Sequence, residues 1–405
     1  MTVVIVGGGH AGGQAAASLR QEGYVGEVII VADEPHIPYQ RPPLSKQYLA
    51  GEYGLERVYL RPGKFYEDRG IAVRKGVRAL RINPDARTLE CDNDETLAYD
   101  KLLLATGSRP RKLVTAGDDL AGVHYLRTIA DVDAIRRDLK PGRRIAIVGG
   151  GYIGLEVAAV AVEMGLAVTV LEMEDRILGR VTTPEMSAFY HDLHTGKGVV
   201  IRTGLRAESF AGAEGRLTQV ICAGGEVVAA DLAVVGIGIV PNVELAAGAG
   251  LDCDNGVIVD ETTRTTDPNI HAVGDCTNHP NPLLGRRLRL ESVPNAMEQS
   301  RVAAANLAGG DKVYAAVPWF WSDQYDLKLQ MVGFSAGADG QVTRGDPTTH
   351  QFATFHLSGD TVIAADAVNS AREFMAARQL VGKKVDVGSL GDPGVDLRAV
   401  LKAAS

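Results

Sequence analysis

Two glycine-spaced turns carry the most chemistry in this sequence. The first is Gly7-x-Gly9-x-x-Gly12, which follows Val3-Val4-Ile5-Val6 and opens an Ala-rich stretch through Leu19. A strand, such a turn and a helix aim free backbone N–H groups and a positive helix end at one point, where a pyrophosphate can sit. The first glycine permits the tight turn, the second lets backbone approach the pyrophosphate, and the third lets helix and strand pack closely. A second apolar run, Val28–Val31, ends at Asp33-Glu34, either of which can accept from ribose hydroxyls. The other turn is Gly149-x-Gly151-x-x-Gly154, between Ile145–Val148 and a helix from Tyr152 to Met164. Tyr152 and Ile153 belong to its ligand-facing side. A strand Ala167–Leu171 follows and ends at Glu172. An acid there accepts from a free ribose 2′-OH and repels a 2′-phosphate. Arg176 is the one cation close by, so the second site is expected to take NADH rather than NADPH.

The elements that must hold these turns form two copies of a strand–helix–strand unit. A repeat separated by the distance from Gly7 to Gly149 is far too long for a solenoid and reads as two nucleotide-binding domains. The 405 residues exceed one ordinary core. Apolar strands also end at Thr106-Gly107 and near Gly236 and Gly238. The expected architecture is α/β, with two Rossmann-like domains in a glutathione-reductase-like arrangement and a small α+β C-terminal domain. The expected boundaries are 1–109 with 237–314, 110–236, and 315–405. The chain returns to the first domain through Ile270–Asp275 and a helix Pro294–Leu307. Alternating strands (Lys328–Phe334, Gln351–Leu357, Thr361–Asp366) and a short helix near Val395–Ala404 close it.

Composition removes several function classes. Apolar residues make up 45% and charged residues 23%, the balance of a globular chain. With 50 acids against 42 bases the net charge is −8, which disfavours nucleic acid. Cys91, Cys222, Cys253 and Cys276 are scattered without a C-x-x-C, which leaves no local dithiol centre or iron–sulfur spacing and fits a reducing cytosol. The N-terminus reads as a strand and not a signal peptide. The apolar region Ile145–Leu171 holds Glu156 and Glu163, which argues against a membrane span. Gly333-x-Ser335-x-Gly337 lacks the helix that a nucleophile elbow needs. His191, Asp192 and His194 read as a solvated helix face, so no metal is expected.

Thr106-Gly107 and Thr266-x-x-x-Ile270-His271-Ala272-x-Gly274-Asp275 resemble the second and third FAD motifs of the two-dinucleotide-binding flavoprotein disulfide reductase superfamily. Pro38-Tyr39-Gln40-Arg41-Pro42-Pro43-Leu44-Ser45-Lys46 and Pro318-Trp319-Phe320-Trp321-Ser322-Asp323-Gln324 narrow this further. They are similar to the oxygenase-coupled NADH–ferredoxin reductases, the group of putidaredoxin reductase and the biphenyl dioxygenase reductase component. Where disulfide reductases carry an active-site cysteine pair, this sequence has no cysteine.

The resemblance implies FAD in the first domain, held by Gly7, Gly9, Gly12, Asp33, Glu34, Arg41, Lys46, Ala105, Thr106, Gly107, Arg127, Asp275, Val293 and Trp321. NAD would lie on Gly149, Gly151, Tyr152, Ile153, Gly154, Glu156, Glu172, Gly236 and Gly238. Lys46 would pair with Glu156 beside the flavin, and Trp321, in preference to Trp319, would cover it. The helix near Pro294 would offer backbone N–H groups around Val293 to the flavin. The implied activity passes electrons from NADH to a [2Fe–2S] ferredoxin of a monooxygenase or dioxygenase. Rubredoxin or radical reduction, or redox sensing, are the alternatives. An acidic ferredoxin is expected to dock on Arg286, Arg287 and Arg289, the densest basic run.

Overall fold

Strands such as Thr2–Val6 and Glu27–Ala32 are rich in Val and Ile and almost wholly buried, the pattern of inner strands in a parallel sheet. The computed structural model describes residues 1–405. In it these strands lie side by side in a parallel five-stranded sheet ordered Ile270–Ala272, Lys101–Leu104, Thr2–Val6, Glu27–Ala32, Ile71–Lys75. Helices His10–Gln21 and Val293–Leu307 cover one face. They meet through Ala11, Ala15, Ala16 and Leu19 against Ala296, Ala303, Ala304 and Leu307. Small side chains bring the two axes close enough for the Ser300 hydroxyl to donate to the Ala11 carbonyl at 2.9 Å. A three-stranded antiparallel sheet, Ala79–Asn83, Thr88–Cys91 and Thr96–Ala98, shares the core of the other face.

The second sheet repeats this order: Val123–Tyr125, Leu232–Val235, Arg144–Val148, Ala167–Leu171, Val200–Arg202, all parallel. Here the outermost strand comes from chain preceding the glycine turn, whereas in the first sheet it comes from Ile270–Ala272, far downstream. It too carries a three-stranded antiparallel sheet, Ala207–Ala213, Arg216–Cys222 and Val227–Ala229. The last domain is an antiparallel five-stranded sheet ordered Trp319–Gln324, Leu327–Gly333, Thr361–Val368, Gln351–Ser358, Gly340–Asp346. Helix Ala371–Leu380 packs on it. Strand Leu327–Gly333 runs into a turn at Ser335–Ala338, not a helix. No helix is long and apolar enough to cross a membrane.

The chain groups into two compact units: residues 1–41, 55–109 and 240–320, and residues 42–54, 110–239 and 321–405. Segment 42–54, expected in the first domain, packs with the second unit. There its 3₁₀ turn Pro42–Ser45 lies against helices Ile129–Asp138 and Tyr152–Glu163.

Two buried histidines flank the return of the chain into the first sheet. Burial, helped by Arg264 and Lys101, holds the His271 imidazole down to about 4. Burial and Arg287 bring His279 to about 4 as well. Unfolded imidazoles take up a proton near 6.5, so the unfolded chain binds protons that the folded chain refuses between those values. Stability should therefore fall as pH drops from about 6.5 to about 4, with no further loss from these groups below that. Thermal melts across this window should show a shallower pH slope in a His271→Asn/His279→Asn double variant; an unchanged slope would refute the assignment.

Candidate functional site

Both glycine turns are built by the same backbone device. Gly7 N–H continues the sheet to Val31 O at 2.8 Å, and Gly149 N–H to Leu171 O at 2.8 Å. Gly7 and Gly149 have φ of 127° and 108°, which a side chain resists. A Cβ on Gly7 would lie 2.1 Å from the Ala105 carbonyl oxygen; on Gly149, 2.4 Å from that of Gly236. A Cβ on Gly12 would lie 1.9 Å from the Gly7 oxygen, and on Gly154 2.2 Å from the Gly149 oxygen. The outer glycines are thus required by the fold itself. Gly9 and Gly151 are not: a Cβ there would meet nothing within 4 Å. Each caps the N-terminus of its helix without a side-chain cap. Backbone donors with open approach are what a pyrophosphate needs, so both turns fit a dinucleotide.

The acids differ between the copies. Glu172 stands level with Ala32, because Leu171 pairs with Val148 as Val31 pairs with Val6. Its carboxylate accepts from Gly150 N–H at 2.8 Å and Glu174 N–H at 2.9 Å, which pins it at the turn. In the first copy Asp33 is exposed, and Glu34 accepts from the Tyr39 hydroxyl at 2.6 Å and pairs with Arg41 at 3.0 Å. Burial works against the charge of Arg41, but Tyr39, Glu34 and Asp275 outweigh it and leave its pKa raised. Arg176, the cation the sequence singles out near Glu172, donates to the carbonyls of Gly179, Thr182 and Thr183. Tyr152 turns its hydroxyl to Met331 Sδ at 2.8 Å, into the C-terminal sheet, while Ile153 beside it is 43% exposed. Gly236 N–H donates to Val148 O, and Gly238 bends away at φ 104°.

Glu156, two residues beyond Gly154, is only 4% exposed. Its Oε2 meets Lys46 Nζ at 2.6 Å and the Ser45 hydroxyl at 2.5 Å, and its Oε1 accepts from the Ser322 hydroxyl at 2.7 Å. The Lys46–Glu156 pair is the one the resemblance implies, whereas the bonds of Ser45 and Ser322 to Glu156 have no sign in the sequence. Sequence reasoning placed His194 on a solvated face. His194 is instead fully buried, bonded to Gln324 at 2.8 Å and to the Tyr325 hydroxyl at 3.0 Å. A histidine on an amphipathic helix has no local mark of which way it faces.

In the first unit, Asp275 follows Gly274, whose N–H donates to Gln299 Oε1 at 2.7 Å, and accepts from the Ser108 hydroxyl at 2.8 Å. Thr106 is clasped by Asn242: its hydroxyl donates to the Asn242 carbonyl, and the Asn242 amide returns to the Thr106 carbonyl at 2.8 Å. Gly107 takes φ 62°. Helix Val293–Leu307 is capped by Ser292, whose hydroxyl accepts from Asn295 N–H at 3.2 Å. Pro294 has no N–H, so the Val293 N–H is the spare donor at that end. In the second unit, Arg127 N–H meets Asp131, in front of the helix Ile129–Asp138. Trp321 is half-buried, on the strand face opposite Ser322 and Gln324.

The expected basic patch is less free than the sequence suggested. Arg287 donates to the Val259 and Asn278 carbonyls, and Arg289 pairs with Glu291 at 2.6 Å. Arg286 is exposed.

Residues 1–300 match the model of the pyridine nucleotide-disulphide oxidoreductase family, and residues 319–401 that of the reductase C-terminal domain. The chain belongs to the pyridine nucleotide-disulphide oxidoreductases. Within this family it is 44% identical over 409 residues to putidaredoxin reductase CamA of Pseudomonas putida, covering 99% of this chain and 97% of that protein. It is also 44% identical over 401 residues to the anthranilate 1,2-dioxygenase system ferredoxin–NAD(+) reductase component of Burkholderia cepacia, covering 98% of each. A solved putidaredoxin reductase–putidaredoxin covalent complex superposes with a TM-score of 0.95 at 44% identity, over 99% of this chain and 98% of that one. Members of this family use FAD and NAD(H), and the two turns fit those groups.

The glycines allow a clean separation of folding from binding. Gly12→Ala should lower Tm strongly or abolish soluble protein, since its Cβ has no room. Gly9→Ala should melt within a few degrees of wild type yet lose FAD on gel filtration, and Gly151→Ala should keep FAD but raise the KM for NADH. Equal destabilisation of Gly9→Ala and Gly12→Ala would contradict this division.

Proposed function

We propose that this chain is an FAD-dependent NADH:ferredoxin reductase, serving a [2Fe–2S] ferredoxin of a monooxygenase or dioxygenase system. The observation that carries the reading is the buried Lys46–Glu156 pair at the opening of the second nucleotide-binding helix, in a chain without a reactive thiol pair. Burial pushes the thiols of Cys91, Cys222, Cys253 and Cys276 up, which makes them poor nucleophiles. Electrons therefore have no dithiol to enter, and an external carrier takes them. The balance is one NADH and two oxidised ferredoxins going to NAD⁺, one proton and two reduced ferredoxins. FAD, when bound, accepts the electron pair as hydride and returns electrons singly.

The residues divide the remaining work. Gly9 and Gly12 with Asp275 hold the flavin dinucleotide, helped by Glu34, Arg41, Thr106, Arg127 and the Val293 N–H. Gly151 and Glu172 hold NADH, and the engagement of Arg176 with carbonyls favours it over NADPH. Lys46 offers positive charge to an electron-rich reduced ring, and Glu156 keeps that charge in place. Trp321 shields the ring from water. The four free cysteines fit work in a reducing cytosol. For docking, Arg286 is the contact to an acidic ferredoxin, while Arg287 and Arg289 shape the hairpin that presents it.

Stopped-flow reduction by NADH, followed by mixing with candidate [2Fe–2S] ferredoxins, tests the activity directly: no one-electron transfer to any of them would defeat it. Lys46→Met and Glu156→Gln should each slow the limiting rate of flavin reduction by about tenfold or more, a loss of roughly 1.4 kcal/mol per decade of rate. Arg286→Glu should raise the KM for ferredoxin and leave NADH–ferricyanide activity unchanged, whereas Arg287→Glu should mainly lower Tm.

A further inference from the structure

The hydrogen bonds around Glu156 do not end at Ser322. Ser322 Oγ lies 2.7 Å from Glu156 Oε1 and 3.1 Å from Gln324 Nε2. Gln324 Oε1 lies 2.8 Å from His194 Nε2, and His194 Nδ1 lies 3.0 Å from the Tyr325 hydroxyl. Ser322 and His194 are fully buried, and Gln324 is 1% exposed. All these groups belong to the second unit.

One charge fixes the direction of every bond in this row. A carboxylate only accepts, so Ser322 must donate to Glu156 and has a lone pair left for a donor. That donor has to be the Gln324 amide nitrogen, which turns the amide oxygen towards His194. His194 must then carry its proton on Nε2, and its bare Nδ1 accepts from Tyr325. Burial, the largest influence, lowers the His194 pKa and favours the neutral ring this arrangement requires. Each donation therefore points towards Glu156.

We infer that Ser322, Gln324 and His194 are positioning residues for the hydride-transfer site, a polarised donor row that fixes the Glu156 carboxylate and through it Lys46. The row holds charge in place and does not conduct protons, because an amide at its centre passes on a hydrogen bond without exchanging its proton. It ties Glu156 to helix Pro184–Gly196 and to the opening strand of the C-terminal sheet, Trp319–Gln324. Neither element takes part in the glycine fingerprints. This rests on the role given to Glu156 above.

Two measurements test it. Nitrogen NMR of ¹⁵N-histidine-labelled holoenzyme should show His194, assigned by its loss in His194→Gln, as the Nε2–H tautomer. Gln324→Met, which keeps the volume and removes both bonds, should mix the tautomers. A predominant Nδ1–H form in the wild type would overturn the direction of the row. In stopped-flow, Ser322→Ala and Gln324→Met should lower the limiting rate of flavin reduction by about tenfold, the scale of one hydrogen bond to a charged group, with the Kd for NADH unchanged. Wild-type rates in both variants, alongside a slow Glu156→Gln, would overturn the positioning role and leave the function standing. A wild-type rate in Glu156→Gln would take down the reading of Glu156 and this inference with it.

Discussion

A carboxylate with 4% of its surface exposed is the constraint around which the second unit is arranged. Removing such a charge from water costs several kcal/mol unless donors replace the lost hydration. Glu156 recovers it from a lysine ammonium and two serine hydroxyls, on both of its oxygens. Those donors come from two separated stretches of chain, both distant from the helix that bears Glu156. Segment 42–54 packs with the second unit, where its 3₁₀ turn sets Ser45 and Lys46 at the helix that bears Glu156. The C-terminal sheet contributes Ser322. If any one of them were missing, a buried charge would be left partly unpaired, so the folding of this unit and the shape of its chemistry rest on the same bonds.

The two nucleotide turns show one backbone solution with different side-chain completions. In both, the first glycine is demanded by the backbone of a neighbouring segment and the third by the turn itself, and the middle glycine is left to the ligand. The divergence begins one residue past the second strand. Glu172 occupies the place level with the turn, held by the Gly150 N–H of the turn and by the Glu174 N–H beyond it. Ala32 stands there in the first copy, its methyl against Gly8, and the acid is displaced to Glu34. Displacement lets Glu34 reach Tyr39 and Arg41, which makes a fixed polar wall. A permanently held group tolerates such a wall, whereas an exchangeable one is better served by a single carboxylate at the turn.

What could be read from the sequence was whatever is encoded locally. The glycine spacings, the strand-ending acids, Gly274-Asp275 and the repeated strand–helix–strand pattern all lie within short windows. They yielded both sheets and the pairing of Lys46 with Glu156 through the resemblance. Ser45, Ser322 and Gln324 lie inside the two motifs that carry the resemblance, but nothing in those short windows points to their bonds, and the bonds of His194 and Asn242 left no trace at all. Glu156 and Ser322 are 166 residues apart, and His194 and Gln324 are 130 apart. A lone serine or glutamine has no spacing to betray it. His194 was misassigned because its helix is amphipathic on the outside as well as facing a polar interior row. In the basic run, Arg287 donates to the Val259 and Asn278 carbonyls and Arg289 pairs with Glu291, while Arg286 stays exposed.

Strand Trp319–Gln324 joins these arguments, because alternation gives it two unlike faces. Trp319, Trp321 and Asp323 share one face, and Ser322 and Gln324 the other. Bonds from Ser322 to Glu156 and from Gln324 to His194 hold the second face at two points, and two points fix a strand's rotation as well as its position. The bonds made by its neighbours therefore help to orient Trp321. A tryptophan placed only by apolar packing could slide or turn at small cost, since such packing has little directional preference. Hydrogen bonds to a buried charge do have direction. Their presence on the face behind Trp321 gives the edge strand of a small sheet a defined rotation.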